Sequence, residues 1–284
     1  VDTIDLGAQF QLRTVGTNTT QLNYYPILIN GNTASIYPHA GVLAYGQTYH
    51  VVVEPGAIRD ATNASFTGIA GGTAWRFSTK AAGPAANAAA VTVASDGSGD
   101  FSTVQGAIDF VPVNNSQRVV ITVRKGTYVE QVYVGATRPL VTVRGEDRAQ
   151  TIITYPNNNN LNGSTRTRGV FTTAANDFTL ETLSIVNSTP QGGSQAEAFV
   201  CDGLRVTINR VNLRSRQDTL LCNTGTTFIT DSYIEGNTDF IWGTAAAYFQ
   251  RCELKGLDTF GNDGYYTQVR NGQNQIGFVF VDCA

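Results

Sequence analysis

Short apolar stretches recur along the second part of the chain at nearly constant intervals. Equivalent points of five such stretches stand at Leu180, Ile208, Ile229, Phe249 and Phe280, with successive spacings of 28, 21, 20 and 31. A second residue, mostly apolar, follows three positions later, at Leu183, Val211, Ser232, Cys252 and Cys283. A third follows five positions later where the chain continues, at Ile185, Leu213, Ile234 and Leu254. The pattern indicates a repeat of about 20 to 21 residues with insertions in two copies.

This repeat consists of short β-type stretches and has no helical periodicity. Such a unit predicts a parallel β-helix, in which each coil stacks on the preceding one and equivalent side chains form ladders. Leucine-rich repeats are the competing architecture, but their Leu-x-x-Leu-x-Leu-x-x-Asn phrase does not occur here. We therefore predict an all-β chain in which residues 91–284 form a parallel β-helix.

The segment 1–80 follows a different pattern. Runs such as PILINGNTASIY (26–37) and QTYHVVVEPG (47–56) contain or end in turn signals, which is typical of short antiparallel strands in a β-sandwich. Residues 43–80 resemble bacterial Ig-like domains, which usually have one further strand ahead of the one that VDTIDL suggests. We predict an Ig-like domain over residues 1–80 that lacks its first strand. Residues 81–90, rich in alanine and containing Gly83-Pro84, are predicted to be a linker.

Composition narrows the class of partner. The 284 residues carry a formal net charge of -3 and 14% of them are charged. The sequence therefore lacks the excess of positive charge that is typical of proteins that bind nucleic acid or an anionic membrane. No apolar run approaches the roughly 20 residues of a membrane-spanning helix, and the first residues lack signal-peptide features. Four cysteines without a C-x-x-C pair, in a lysine-poor chain, favour a secreted protein over a zinc protein. We expect a neutral or polymeric partner, with no metal.

Two acidic residues stand inside apolar repeats. Asp218 lies ten positions after Ile208, and Asp239 lies ten positions after Ile229. Stacked strands are about 4.8 Å apart, so the repeat predicts that the two carboxyl groups are neighbours on adjacent coils. Like charges at that distance raise one pKa and hold the other down, which suits an acid and a nucleophile or base. The alternative is that both are solvated turn residues or strand-end caps.

The copy of the repeat that begins at Leu180 is seven residues longer than the next copy. When these seven positions are discounted, two glutamines fall near the same face as the two acidic residues. The side-chain amides of Gln195 and Gln217 could stabilise a developing oxyanion, or could belong to an Asn/Gln ladder of the kind that β-helices contain. Both histidines, His39 and His50, precede the linker. Catalysis in the repeat domain therefore has no imidazole available, and acid–base work must fall to carboxyl groups, to tyrosines, or to Lys125 and Lys255.

Five ordered motifs resemble those of pectin methylesterases, which are right-handed parallel β-helix enzymes that remove methyl esters from homogalacturonan. The resemblance runs from about residue 91 to the end. Its motifs are VASDGSGDFSTVQGAID (93–109), KGTYVEQV (125–132), QAEAF (195–199), QDTLL (217–221) and DFIWG (239–243).

The resemblance implies roles for individual residues of a carboxylic ester hydrolase. It makes Asp239 the nucleophile, Asp218 the general acid and then base, and Gln195 with Gln217 the oxyanion hole. It also places Trp242 in the sugar-binding groove; the other substrate-binding residues that we predict are Phe199 and Arg270. No cofactor is needed, and the expected partner is pectin, bound by a secreted monomer.

The sequence departs from the family pattern at several points. The family has a Leu-Gly-Arg-x-Trp block that should follow GFVFVDCA and would lie beyond Ala284. Without it, we expect residues 1–284 to be weakly active or inactive. Glu197 stands where Val is common and Leu221 stands where Tyr is common, which affects fine substrate preference.

The ladder also brings cysteines together in pairs. Cys252 and Cys283 share one position of the repeat, and Cys201 and Cys222 share another. We expect one or two disulfide bonds between coils, with unbonded buried thiols as the alternative.

Two other classes of function remain open. A β-helix glycan hydrolase or lyase would cut the same polymer, although inverting hydrolases need carboxyl groups about 6.5 to 9.5 Å apart, which is wider than adjacent coils provide. A pectin-binding β-helix without esterase turnover is the non-enzymatic alternative.

Overall fold

The computed structural model describes residues 2–6, 8–15, 20–39, 41–257 and 264–284. The chain forms two compact units. The first comprises Val1–Arg13 and Asn23–Pro84, and the second comprises Thr14–Leu22 and Ala85–Ala284. In sequence the chain changes from one unit to the other at three points, between Arg13 and Thr14, between Leu22 and Asn23, and between Pro84 and Ala85, and the last of these lies inside the predicted linker.

Short paired strands characterise the part of the chain that precedes Ala85. The strands are β1 (Gln11–Val15), β2 (Thr20–Tyr24), β3 (Ile27–Asn30), β4 (Thr33–Ile36), β5 (Thr48–His50) and β6 (Arg76–Ser78). They form the two-stranded sheets β1-β2, β3-β4 and β5-β6, and the last two are antiparallel. Between β3 and β4, Gly31 has a positive φ of 56°, which glycine adopts without steric cost in a tight hairpin turn. The described residues thus show antiparallel hairpin pairing in this part of the chain.

The second unit is a parallel β-helix built from three sheets. Its strands are β7 (Ala90–Val93), β8 (Val119–Val123), β9 (Gly126–Val129), β10 (Val132–Val134), β11 (Val141–Gly145), β12 (Thr151–Tyr155), β13 (Phe171–Thr173), β14 (Thr179–Glu181), β15 (Ser184–Asn187), β16 (Phe199–Cys201), β17 (Val206–Asn209), β18 (Asn212–Arg214), β19 (Leu220–Cys222), β20 (Thr226–Thr230), β21 (Tyr233–Gly236), β22 (Ile241–Gly243), β23 (Ala246–Gln250), β24 (Glu253–Gly256), β25 (Thr267–Val269) and β26 (Phe278–Val281).

Each sheet takes one strand from each successive coil. Sheet A has the order β10-β13-β16-β19-β22-β25, sheet B has the order β7-β8-β11-β14-β17-β20-β23-β26, and sheet C has the order β9-β12-β15-β18-β21-β24. The chain passes from sheet B to sheet C to sheet A in every complete coil. The prediction of a parallel β-helix is confirmed.

The register of sheet B matches the spacing of the apolar anchors. Leu180 pairs with Ile208, Ile208 with Ile229, Ile229 with Phe249, and Phe249 with Phe280. Sheet C matches the column five positions later, because Leu213 pairs with both Ile185 and Ile234, and Ile234 also pairs with Leu254. The predicted repeat unit is therefore one coil.

A tight corner joins sheet B to sheet C. Only Thr182 and Leu183 separate β14 from β15, and the three coils that follow have a corner of the same length. The first corner residue has a positive φ in each copy, at Thr182, Arg210, Asp231 and Arg251, and Asp282 repeats the conformation after β26. A single left-handed residue turns the chain sharply, so this corner has the same length in every one of these coils.

Apolar side chains fill the interior of the coils. Phe171, Phe178 and Phe199 are fully buried and form an aromatic cluster with ring centroids 5.3 to 6.3 Å apart. Cys201 pairs with Cys222 in sheet A and the amide of Cys252 contacts the sulfur of Cys283, as the ladder predicts. All four thiols are nevertheless free, so the predicted disulfide bonds are wrong.

One short helix, α1 (Val104–Phe110), covers the first coil. Thr103 caps it by accepting a hydrogen bond from the amide of Gly106 at 3.1 Å. Its buried face, which includes Ala107 and Ile108, lies against β7, β8 and β10, where the interior of the coils would otherwise be open. No helix among the described residues is long and apolar enough to cross a bilayer.

Candidate active site

The parallel register brings Asp218 and Asp239 to equivalent positions on adjacent coils. Gln217 and Thr238 form a parallel bridge immediately before them, and the amide of Asp218 donates to the carbonyl of Thr238 at 3.0 Å. Both aspartates have a positive φ, 63° and 47°. Aspartate tolerates this conformation better than most residues. The predicted alignment of the two acids is confirmed.

The environments of the two carboxyl groups differ. Asp218 is 7% exposed, whereas Asp239 is half-buried. Burial raises the pKa of Asp218 to about 6, and the charge of Asp239 contributes to the rise. Arg168, Arg270 and a hydrogen bond from Gln217 oppose it. A protonated Asp218 beside a more accessible carboxylate can deliver a proton while its neighbour attacks or accepts one.

Sequence reasoning did not identify Arg168 as part of this site. Its Nη2 lies 2.8 Å from Oδ2 of Asp218 and 2.7 Å from Oε1 of Glu197, and its side chain is 7% exposed. Glu197 is 0% exposed, and its distance in sequence from Asp218 equals the distance from Asp218 to Asp239. That equal spacing is the signal that could have found Glu197. We call Glu197, Asp218 and Asp239 the carboxyl row.

Trp242 lies beside the carboxyl row under two guanidinium groups. The Arg168 guanidinium is 5.7 Å from the ring centroid and that of Arg270 is 4.5 Å from it. With Val200 and Leu221, Trp242 forms a buried apolar cluster. Its Nε1 is buried and has no hydrogen-bond partner among the described residues. Arg270 is exposed and also donates to Oε1 of Gln268.

The two predicted oxyanion-hole glutamines lie on adjacent coils, offset by one position. The amide of Ala196 donates to the carbonyl of Gln217 at 3.3 Å, so Ala196 rather than Gln195 stands opposite Gln217. The side chain of Gln195 accepts a hydrogen bond from the hydroxyl of Ser194 at 3.0 Å. Both glutamines are half-buried, and their catalytic role stays a prediction.

Phe199 was predicted to bind substrate, and its position contradicts this. The side chain is 0% exposed and packs on Phe171 and Phe178 inside the coils. Residues alternate sides along a strand, so Phe199 and Cys201 point inward while Val200 points outward. Phe199 is therefore a core residue.

The site can support acid–base and nucleophilic chemistry with carboxyl groups. Among the described residues, no group of three or more His, Cys, Asp or Glu is arranged to hold a metal ion. The ionisable groups that do meet here are the carboxyl row, Arg168 and Arg270.

Comparison with known proteins gives consistent results. The family model described as Pectinesterase matches residues 90–284. Pectinesterase 31 of Arabidopsis thaliana is 31% identical over 205 residues, covering 68% of this chain and 63% of the relative. Pectinesterase 2 of Olea europaea is 29% identical over 268 residues, covering 92% of this chain and 69% of that protein.

Solved structures resemble the chain in fold as well. Pectin methylesterase from carrot has a TM-score of 0.65 and 27% identity, covering 68% of this chain and 63% of the carrot chain. Pectin methylesterase PemA from Erwinia chrysanthemi has a TM-score of 0.62 and 26% identity, with coverages of 70% and 66%. The chain thus spans slightly less than two thirds of the Arabidopsis relative and of both enzymes. With a family match over residues 90–284 and the same β-helix fold, the chain belongs to the pectinesterase family.

Proposed function

We propose that the β-helix unit is a carboxylic ester hydrolase that removes methyl esters from homogalacturonan and releases methanol. The observation that carries this proposal is the pair of aspartates on adjacent coils, with Asp218 buried and its pKa raised to about 6. A protonated acid and an accessible carboxylate side by side are the two groups that ester cleavage without a histidine requires.

In the first step, ionised Asp239 attacks the ester carbonyl of a galacturonate unit. The side-chain amides of Gln195 and Gln217 stabilise the tetrahedral oxyanion. Protonated Asp218 transfers its proton to the departing methoxy oxygen, and methanol leaves. The product is an anhydride between Asp239 and the sugar carboxyl group.

In the second step, water hydrolyses the anhydride. Asp218, now ionised, takes a proton from the attacking water and returns to its protonated form. The galacturonate carboxyl group departs, and Asp239 is again a free carboxylate. No cofactor takes part in either step.

Relatives support a polymeric substrate. A pectin methylesterase solved in complex with a hexasaccharide has a TM-score of 0.60 and 27% identity to this chain. In our proposal, Trp242 and Arg270 contribute to the groove that holds the polymer. Product carboxylates would favour the guanidinium of Arg270 as a contact.

Two further properties belong to the proposal. We infer that the protein is a secreted monomer; its low lysine content supports secretion, whereas the four free thiols do not add to that support. We also infer that residues 1–80 form an Ig-like domain joined to the enzyme by a linker at residues 81–90. The antiparallel pairs β3-β4 and β5-β6 support this assignment.

Methanol release from highly esterified pectin tests the proposed function. The chain is assayed as it stands and extended beyond Ala284 through the family's Leu-Gly-Arg-x-Trp block. We expect methanol without shortening of the polymer, released faster by the extended form than by residues 1–284. Asp239→Asn should lower the rate by at least about 10³-fold, because the nucleophile is lost. Asp177→Asn is the matched control, since Asp177 also has a positive φ but forms an exposed ion pair with Arg205.

Other products would identify the alternatives. New reducing ends or unsaturated products would indicate a hydrolase or lyase. Binding of pectin without methanol release from either form of the chain would contradict the esterase and favour a binding protein.

A further inference from the structure

The carboxyl row contains one more acid than the proposed reaction uses. In sheet A, Phe199 pairs with Leu220, which pairs with Ile241. The residues two positions before these three are Glu197, Asp218 and Asp239. Glu197 is the most buried of the three acids, at 0% exposed. A buried carboxyl group either takes up a proton and becomes neutral or has its charge compensated by another group.

Arg168 provides that compensation, and each of its side-chain nitrogens has a partner. Nε donates to both carboxyl oxygens of Glu197, at 2.9 and 2.8 Å. Nη2 lies 2.7 Å from Oε1 of Glu197 and donates to Oδ2 of Asp218 at 2.8 Å. Nη1 donates to Oδ1 of Asn159 at 3.1 Å. The guanidinium is therefore held in one orientation between two coils.

The contact with Oδ2 directs the proton of Asp218. Because Oδ2 accepts a hydrogen bond from Arg168, a proton on Asp218 is favoured on the other oxygen, Oδ1. A cation this close would by itself favour the ionised carboxylate, which could not serve as a proton donor. Glu197, on the preceding coil, shares the same cation and supplies a negative charge when it is ionised. The charge of Arg168 that acts on Asp218 is thereby reduced.

We propose that Arg168 and Glu197 are positioning residues for the general acid: Arg168 fixes one oxygen of Asp218, and Glu197 offsets the charge of Arg168 so that Asp218 keeps its proton. This inference rests on the proposed function for its catalytic meaning. The groups that act on Asp218 are Arg168 and Asp239, together with Arg270 and Gln217. Burial raises the pKa of Glu197 to about 7 and Arg168 opposes that rise, so Glu197 carries the offsetting charge at and above neutral pH.

Substitutions of the two residues should move the titration of Asp218 in opposite directions. Carboxyl carbon NMR between pH 4 and 9 follows Asp218 in the wild type, Glu197→Gln and Arg168→Gln. We expect the midpoint to fall by about one pH unit in Glu197→Gln, because the full charge of Arg168 then acts on Asp218. We expect it to rise by about one unit in Arg168→Gln, because the cation is lost.

The pH dependence of kcat/KM for methanol release supplies the catalytic measurement. In the proposed reaction, the fall in kcat/KM at high pH reports loss of the Asp218 proton. The pH at which kcat/KM falls should be lower in Glu197→Gln and higher in Arg168→Gln than in the wild type. At pH 7, Glu197→Gln should therefore be about tenfold less active than the wild type. Arg168→Lys keeps the charge without the forked contacts and should restore only part of the titration behaviour. Arg205→Gln, which removes an exposed arginine, should leave both profiles unchanged.

The outcomes separate this inference from the proposed function. Midpoints that stay fixed, or that move in the same direction in both variants, would overturn the positioning role. If a single variant fails to fold by circular dichroism, the double variant Arg168→Gln/Glu197→Gln replaces it, and its Asp218 midpoint should lie above that of the wild type. If no methanol is released but the midpoints move apart, the proposed function fails while the Arg168–Glu197 pair still controls Asp218.

Discussion

Two rows of residues at sheet A each occupy equivalent positions on the same three coils, but the rows differ in burial and in the groups that they contact. The inner row, Phe199, Leu220 and Ile241, is 0% exposed throughout, and each member packs in the same apolar interior. The carboxyl row lies two positions earlier and changes from fully buried at Glu197 to half-buried at Asp239. Stacking therefore fixes where a side chain lies, but groups outside the ladder determine its chemistry. The inner row stabilises the fold, and the carboxyl row can differentiate acid from nucleophile.

The largest expected effect is on the inner row. Phe199→Ala should lower the free energy of unfolding by about 3 to 5 kcal/mol, because it leaves a cavity beside Phe171 and Phe178. Urea denaturation measures this loss. Phe228→Ala is the control, since Phe228 is 39% exposed on the outside of sheet B and should cost much less. Equal losses in the two variants would contradict the distinction between inside and outside.

A smaller effect of opposite sign is expected in the carboxyl row. The pKa of Asp218 is about 6 in the folded protein against an ordinary 3.8, so the folded state holds this proton more tightly than the unfolded state. The contribution of Asp218 to stability is therefore complete below about pH 4 and is lost as the pH rises through 6. Asp218→Asn removes the cost of the buried charge and should stabilise the protein at pH 7.5 by about 1 to 3 kcal/mol.

Thermal unfolding at two pH values checks the Asp218→Asn prediction. The difference from the wild type should appear at pH 7.5 and be nearly absent at pH 4. Asp239→Asn is the matched control, because Asp239 has the same backbone conformation and is less buried, so its effect should be smaller. A gain of the same size at both pH values would show that burial of charge is not the cause.

The smallest effect is expected at Trp242, on the outward face of the same sheet. Its buried Nε1 has no partner among the described residues, so we expect it to donate to the polymer when substrate binds. Trp242→Phe should raise KM about 3- to 10-fold through loss of one hydrogen bond, with little change in kcat. Initial rates over a range of pectin concentrations measure both constants. An unchanged KM would place Nε1 outside the substrate contacts.

The structural features that depend on the length of one coil could be predicted from the sequence. The interval from Ile208 to Ile229 is the length of one coil of this β-helix, and the same interval aligns Asp218 with Asp239. Register in stacked strands follows from inward-facing apolar residues, which are visible in the sequence. For this reason the two acids could be paired without any structure.

What depends on loops could not be predicted in this way. Arg168 is far from Asp218 in sequence, in the segment between β12 and β13, where no repeat fixes its position. Phe199 was misassigned although the alternation that places Cys201 inside also places Phe199 inside. For the cysteines, the ladder predicted proximity correctly, but proximity of two thiols does not determine whether they are oxidised.

The short corner between sheets B and C has an evolutionary consequence. Because that corner has two residues in each of the four coils from β14 to β24, differences in the length of those coils are found elsewhere. The connection from β15 to β16 runs over positions 188–198, whereas the connection from β18 to β19 needs only 215–219 and that from β21 to β22 only 237–240. Another long connection, between β12 and β13, supplies Arg168 and Asn159. Natural variation in such connections can therefore exchange the groups that tune the acids while the pitch of the coils stays the same.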